Sequence, residues 1–482
     1  MLHTTCEFLT TDELEQIHDA SMQLLANVGV IFHADAALDL FRQHGVKVNG
    51  RSIHLTESQV MDAVALAPKQ FKIRARNPAK SVTVGQGEPI FVPGYGAPFI
   101  LDENGSRQPT LQDYENLIRL ADALPNQDIS GHLLVQPGDV CPANAHLHML
   151  HHGMVYSDKP FMGSAAGTNG ATHTMEMASI LFDQPPNFLA EQPVTLGLID
   201  TISPLQYGQE TCEALITYAQ WRQPLIIASL VMAGATGPMT LAGVIAQQNA
   251  EILAGIVLTQ LINPGTPVMY GAASTIMDMR TGNLAIGGPE MALIVAASAQ
   301  LARFYGLPSR GGGGVTDANC PDAQAGFESM LGLLTAVNSH NDLILHAAGI
   351  LSSYLAFSYE KFVMDDEICG LVRHYHRGIR VSPETLAYDV IANVGSDGNF
   401  LEEAHTYKHF RTAAWHPALC DRGGMKMWME NGRLTATQRA HTRWQTLLAN
   451  HRPPPLDKTT IRQLTHYIQS HTQQSSIVNQ KS

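Results

Sequence analysis

Charge is scarce in this chain of 482 residues: Asp, Glu, Lys and Arg make up only 15 %, against roughly 25 % in an ordinary domain. A chain this long with so few charges is expected to bury part of its surface between subunits, which predicts a homo-oligomer. Basic residues are the scarcer kind, 30 against 43 acidic for a net charge of −13. That balance opposes contact with a phosphate backbone and argues against a nucleic-acid partner. No uninterrupted apolar run reaches the ~18 residues needed to span a bilayer, so no membrane partner is expected. The six cysteines, Cys6, Cys141, Cys212, Cys320, Cys369 and Cys420, include no C-x-x-C pair; neither a disulfide framework nor a zinc knuckle is indicated, and they read as reduced thiols. Residues 1–6 lead into neither a basic segment nor an apolar stretch, so no secretory signal is expected and the protein reads as cytoplasmic. No G-x-G-x-x-G follows the first strand at a helix start, which weighs against a dinucleotide fold.

What is present is orderly. Thr10 with Glu13 and Thr56 with Gln59 form capping boxes in a helical start, and Gly29 and Gly45 stop the first two helices. Over 71–102 strand-like pieces separated by Gly85, Gly87, Gly94 and Gly96 suggest a small β element or lid, and Thr110 opens another helix. From about 128 to 350 short apolar strands alternate with alanine-rich helices. Seven are legible: 129–135, 160–165, 194–200, 224–230, 267–272, 308–314 and 343–348. Such alternation predicts a parallel sheet, and its regular spacing an α/β chain folded as a (β/α)8 TIM barrel, with the eighth strand not legible. The expected organisation is an N-terminal helical region with a small β element over 1–125, the barrel over 126–380, a C-terminal helical region over 381–472, and a disordered tail over 473–482.

In such a barrel the chemistry sits where the strands end. There, Gly311, Gly312, Gly313 and Gly314 precede Val315, Thr316 and Asp317; the glycines either leave room for a large flat ligand or permit tight strand-to-helix packing. At ~3.3 Å per strand residue, Arg310 falls about 16 Å below Val315 and reads as too deep to touch a ligand. His346 closes another strand, as a core group or a site group. Tyr95, Phe99, Tyr270, Tyr354 and Phe357 fall on glycine-rich or strand-end segments, and aromatic faces hold quaternary ammonium groups, although with 7 % aromatics in the chain some are simply core. His146, His148, His151 and His152 form the most metal-like cluster, which opens a second reading as a metal-dependent TIM-barrel hydrolase. Against it, the cluster reads as helical, with His148 and His152 on one face and His146 off it. Glu290, after Pro289, reads as helix capping.

Several segments are specific: Phe304-Tyr305-Gly306-Leu307-Pro308-Ser309, Thr316-Asp317-Ala318, Pro321-Asp322-Ala323-Gln324-Ala325-Gly326, Leu241-Ala242-Gly243 with Asn249-Ala250-Glu251, and Gly288-Pro289-Glu290. Through them the chain resembles the trimethylamine methyltransferase superfamily of corrinoid-dependent methyltransferases over nearly its whole length. The resemblance implies the same barrel, and transfer of a methyl group to cobalt(I) of a corrinoid (cobalamin) carried by a separate partner protein, with no tightly bound cofactor or metal of its own. Founding members carry pyrrolysine immediately before the Ser/Thr-Asp-Ala segment, a place held here by Val315, which implies a quaternary amine such as glycine betaine as substrate. A quaternary nitrogen already carries its charge, so loss of one methyl expels a neutral amine without an acid. On this resemblance His346, Val315 and Asp317 are the candidate catalytic positions, though Asp317 and Asp322 read rather as loop-fixing. Tyr95, Phe99, Tyr270, Tyr354 and Phe357 are candidates for the ammonium cage, and Gly312, Gly313 and Gly314 for corrinoid approach. A non-catalytic quaternary-amine-binding barrel is a third reading.

Overall fold

Short apolar segments spaced by helices have one economical way to satisfy their backbones, which is to lie side by side as parallel strands. The computed structural model, which describes residues 6–478, shows this arrangement. Its main sheet contains β1 (Ile90–Phe91), β2 (Phe161–Met162), β3 (Thr195–Asp200), β4 (Leu225–Ser229), β5 (Val268–Ala272), β6 (Ser309–Gly312) and β7 (Leu343–Leu345), in the spatial order β1-β7-β6-β5-β4-β3-β2. Every neighbouring pair is parallel. The sheet curls until both edges meet the segment 128–131: Asp128 donates to the Phe91 carbonyl at 2.8 Å, Ser130 to that of Pro160 at 2.9 Å, and Met162 to that of Gly131 at 3.1 Å.

Two sequence expectations change here. The segment 129–135 bridges the two edges, but it bends repeatedly, with Gly131 left-handed at φ 82, and forms no regular strand. Conversely, Ile90–Phe91 belongs to the main sheet although it lies in the stretch read as a lid. Flanked by Pro89 and Pro93, it is too short for its alternation to show.

Side chains alternate across the sheet. Ile90, Val92, Ile129, Met162, Leu196, Leu198, Ile226, Ala228, Met269, Leu343 and Leu345 form one interior cluster, closed from one end by the hairpin Phe71–Ile73 with Val82–Val84. Phe91, Ile199, Ile227, Tyr270 and Ile344 face the surrounding helices. The two capping boxes are present at the helices Thr11–Gln23 and Glu57–Leu66. The helix Leu241–Ile262 is long and apolar enough to cross a membrane by length and composition, but 83 % of its most apolar stretch is buried in this protein. The C-terminal helix Lys458–Val478 runs into the segment expected as a tail, and residues 479–482 lie outside the described residues.

One polar group on that apolar helix organises the strand ends. The fully buried Glu251 carboxylate accepts from Thr201 Oγ1 (2.6 Å), Ser203 Oγ (2.8 Å), Leu205 N (2.8 Å), Ser229 Oγ (2.6 Å) and Gln247 Nε2 (3.0 Å). Removing the acceptor leaves those donors buried without a partner, at ~1–3 kcal/mol for each left unmade. Glu251→Ala is therefore expected to lower stability by about 3 kcal/mol or more, read as an earlier urea unfolding midpoint. An unchanged midpoint would show that water replaces the carboxylate.

Candidate active site

Inward residues near the C-terminal ends of the strands define the pocket. Along β3 the inward positions are Leu196, Leu198 and then Asp200; along β6 they are Arg310 and Gly312. The register pairs Asp200 with Ala228, Ala228 with Gly271, and Gly271 with Arg310. An acid and a base thus stand at the two ends of one inner row, separated by residues with almost no side chain. Asp200 is exposed to the opening, and among the described residues its carboxylate accepts no hydrogen bond and forms no ion pair. Its crowded surroundings nevertheless raise its pKa, against the pull of the Arg310 cation.

Arg310 is only 2 % exposed. Its Nη1 donates to the Ala272 carbonyl at 2.7 Å, and its Nε is buried without a partner. The guanidinium interacts with Tyr354, Asp200 and His346. The sequence argument placed Arg310 too deep because it measured along the backbone; the long stem carries the charge up toward the strand ends.

His346 follows β7 in a left-handed conformation, with φ 58. Its Nδ1 accepts from the Tyr95 backbone N–H at 3.2 Å, which leaves the proton on Nε2. Burial and the Arg310 cation hold its pKa well below the ordinary value, so the ring is neutral. Its ring centroid lies 4.8 Å from that of Tyr354. Tyr354 sits on three consecutive left-handed residues, Ser352, Ser353 and Tyr354, a conformation that needs external support. Asp317 supplies part of it: its carboxylate accepts from Ser353 Oγ at 2.7 Å, Ile286 N at 2.9 Å and Gly287 N at 3.1 Å. Every oxygen of Asp317 is thus engaged in holding loops. Burial pushes the Tyr354 phenol up to about 12 and that of Tyr95 upward too, so both are neutral rings facing the same opening.

The other sequence candidates divide. Phe99, 38 % exposed, lies on the strand Phe99–Asp102 beside Ala356. Tyr270 does not: it points outward, donates to Asn249 Oδ1 at 3.1 Å and stacks on Tyr305. Phe357 is also core, edge-on to Phe362 and against Gly94 and Gly349. Val315 is buried, in a cluster with Ile286, Met291 and Val295. The glycine run mostly serves close packing. A Cβ on Gly314 would lie 2.2 Å from the Ala347 carbonyl oxygen, and one on Gly313 would meet Ile344 and Leu333 at 2.5 and 2.7 Å. Gly312 alone faces inward, with only the flexible end of Met291 near. Asp200 escaped notice in the sequence, yet the parity Leu196, Leu198, Asp200 at a strand end was the signal for it.

The histidine cluster lies on the helix Pro142–Tyr156, away from the strand ends. His146 Nε2 is 2.8 Å from His173 Nδ1, and His173 stacks in turn toward His471, whose ring lies against Tyr467 on the C-terminal helix. Among the described residues no group of three His, Cys, Asp or Glu side chains could hold a metal ion.

The Trimethylamine methyltransferase (MTTB) family matches residues 2–476. The chain is 47 % identical to a glycine betaine methyltransferase of Desulfitobacterium hafniense (strain Y51), over 95 % of this chain and 96 % of that protein. It is 33 % identical to a proline betaine:corrinoid methyltransferase of Eubacterium limosum, over 96 % and 97 % respectively. The crystal structure of the Methanosarcina barkeri monomethylamine methyltransferase matches with a TM-score of 0.52 at 13 % identity, covering 92 % of this chain and 89 % of that one, a likeness of fold.

The histidine stack generates a pH dependence. Burial first, then His173 and His148, lower the His146 pKa from 6.5 to about 4, and burial lowers that of His173. The undocked state therefore binds more protons than the docked one between these values. The contribution of the neutral stack is complete above 6.5 and is lost as pH falls toward about 4. Protection against hydrogen exchange in the helix Lys458–Val478, after correction for the intrinsic pH dependence of amide exchange, should fall between pH 7 and pH 4.5 ahead of that in the barrel strands; simultaneous loss of both would assign the stack no local role.

Proposed function

Because the chain belongs to the trimethylamine methyltransferase family, we propose that it moves a methyl group from a quaternary amine, glycine betaine or a related betaine, to cobalt(I) of a corrinoid carried by a separate protein. The observation that carries this reading is the pocket itself: an acid without a protein partner, Asp200, beside the neutral faces of Tyr95 and Tyr354. Such a wall suits a permanent cation, which aromatic faces attract without needing a hydrogen-bond donor on it.

The corrinoid supplies the nucleophile. Its approach fits the opening rather than the glycine run, because Gly313 and Gly314 are closed by packing whereas Gly96 has nothing within 4 Å of where a Cβ would stand. Gly96 and Ala166, on the segments just past β1 and β2, and Asp200 at the end of β3 carry exposed surface. The chain's own residues do the rest. Tyr95, Tyr354 and Asp200 hold the ammonium group with one methyl toward the mouth, and His346 fixes the Tyr95 backbone. The surrounding apolar wall excludes water. No proton is needed at the leaving nitrogen, which is consistent with Val315 carrying an inert side chain in the helix layer.

Three further readings accompany this one. We read the main sheet, closed through 128–131, as a (β/α)8 barrel whose first strand is Ile90–Phe91. The thiols, with Cys212 and Cys369 buried, suit a reducing cytoplasm. The arm between the helices Tyr359–His376 and Ala436–Asn450 suits a homo-oligomer. Its helices Pro383–Leu386, Tyr388–Val394, Ala404–His409 and Gly424–Glu430 bury no residue, and Ile379 and Leu401 are 93 % and 82 % exposed. An apolar arm of this size is unusual on a monomer.

Two measurements test these statements. Methylcobalamin formation, with a corrinoid protein reduced to cobalt(I), should proceed from glycine betaine and at under about 1 % of that rate from trimethylamine, a loss of ~3 kcal/mol in transition-state stabilisation. Turnover of trimethylamine alone would overturn the assignment. Light scattering should give a mass that is a multiple of 52.3 kDa, reduced by Leu401→Glu with Tyr388→Glu; a wild-type monomer would refute the oligomer.

A further inference from the structure

We propose that Arg310 is the specificity-determining residue that recognises a carboxylate on the substrate, so that the pocket selects a quaternary ammonium zwitterion over a simple tetraalkylammonium cation. This rests on the reading of the pocket as a quaternary-amine site and adds a second recognition point to it.

The inner row Asp200–Ala228–Gly271–Arg310 places opposite charges three strands apart with no side chain larger than a methyl between them. The two charges face each other without forming an ion pair, and each is left incomplete by the protein. Asp200 accepts no hydrogen bond among the described residues, and Arg310 keeps a buried Nε with no acceptor although Nη1 is held by the Ala272 carbonyl. A guanidinium buried this completely normally has its donors satisfied. A buried, unmatched donor on a guanidinium that lies near Asp200, Tyr354 and His346 is therefore a place for a ligand oxygen, and the planar guanidinium edge matches a carboxylate. His346 adds a neutral donor, because Nδ1 is occupied by Tyr95 N–H and Nε2 carries the proton. A ligand with a cation at one end and a carboxylate at the other lies along the row with each charge opposite its complement. A tetraalkylammonium ion satisfies Asp200 and the aromatic faces but leaves Arg310 as it was.

The test is calorimetric binding of glycine betaine and of tetramethylammonium to the full chain, wild type, Arg310→Met and Arg310→Lys, without corrinoid. Truncating one partner of a buried charge pair costs ~2 kcal/mol or more, about 30-fold in affinity. The wild type is expected to prefer glycine betaine by roughly that factor, Arg310→Met to lose the preference while binding tetramethylammonium no worse, and Arg310→Lys to retain part of it. Equal affinity of the wild type for both probes would overturn the proposal, as would an Arg310→Met protein, folded by circular dichroism, that keeps the preference. If Arg310→Met does not fold, the wild-type ratio and the Arg310→Lys variant decide. Failure of the parent reading is separate: a wild type that prefers glycine betaine yet methylates no reduced corrinoid protein.

Discussion

A carboxylate taken out of water must be given hydrogen-bond donors, and where those donors come from fixes the backbone that carries them. Glu251 lies on the most apolar helix of the protein and draws its donors from the loop that follows β3 and from the end of β4. The Tyr207 hydroxyl donates to the Glu251 backbone carbonyl at 2.7 Å, tying down the far side of the same loop. Asp200 is the residue immediately before Thr201, so its aim into the pocket is set by this group. Burial of the helix gains hydrophobic energy in any rotation; its buried polar groups, Glu251 together with Gln248 and Asn249, select one.

The same device recurs around the mouth. Glu328 accepts from Thr316 Oγ1 and from Asp317 N, and Asp317 in turn holds Ser353, Ile286 and Gly287. Asp365 accepts from Gly349 N at 2.9 Å and pairs with the buried Lys361, which also reaches Ser329 Oγ and the Gly314 carbonyl. The loops that leave β3, β6 and β7 are each tied by a carboxylate accepting backbone or hydroxyl donors. Against that background Asp200 stands apart, since its oxygens are given nothing by the protein. The acids of the mouth are sorted by function through hydrogen bonding, which composition and spacing do not reveal.

This explains what the sequence could and could not tell. Alternation of apolar strands and alanine-rich helices is a property of the chain's periodicity, and six of the seven main strands overlap the legible segments. Ile90–Phe91 is hidden because three residues between Pro89 and Pro93 are too few to show a period, and the sheet rather than the local sequence makes two of them a strand. The aromatic candidates divide: Tyr95 and Tyr354 lie near Asp200, Phe99 is exposed, and Tyr270 and Phe357 turn to the core. In a strand the face is decided by parity, and Tyr270 is out of phase with the interior Met269. For Arg310, backbone rise gives the depth of the Cα only, and the side chain carries the guanidinium up to the Ala272 carbonyl. His346 was visible as a strand-end residue, but its tautomer depends on Tyr95, 251 residues away in the chain.

The arrangement also bears on how a pocket can accelerate this kind of reaction. As a methyl group leaves a quaternary nitrogen, the positive charge on that nitrogen disappears. An interaction that grows with the charge stabilises the bound reactant more than the transition state, and raises the barrier it was meant to lower. The pairing of Asp200 with the ammonium group acts in that way, so Asp200 serves binding and not rate, whereas neutral aromatic faces and exclusion of water lose less as the charge is dispersed. On the proposed reading of the pocket, the neutral state of Tyr95, Tyr354 and His346, enforced by burial, becomes part of the chemistry. Holding the substrate by a second group, remote from the nitrogen, resolves the remaining conflict. A carboxylate keeps its charge throughout, so its attraction to a buried guanidinium persists from reactant to transition state and can fix orientation without opposing loss of charge at the reacting centre.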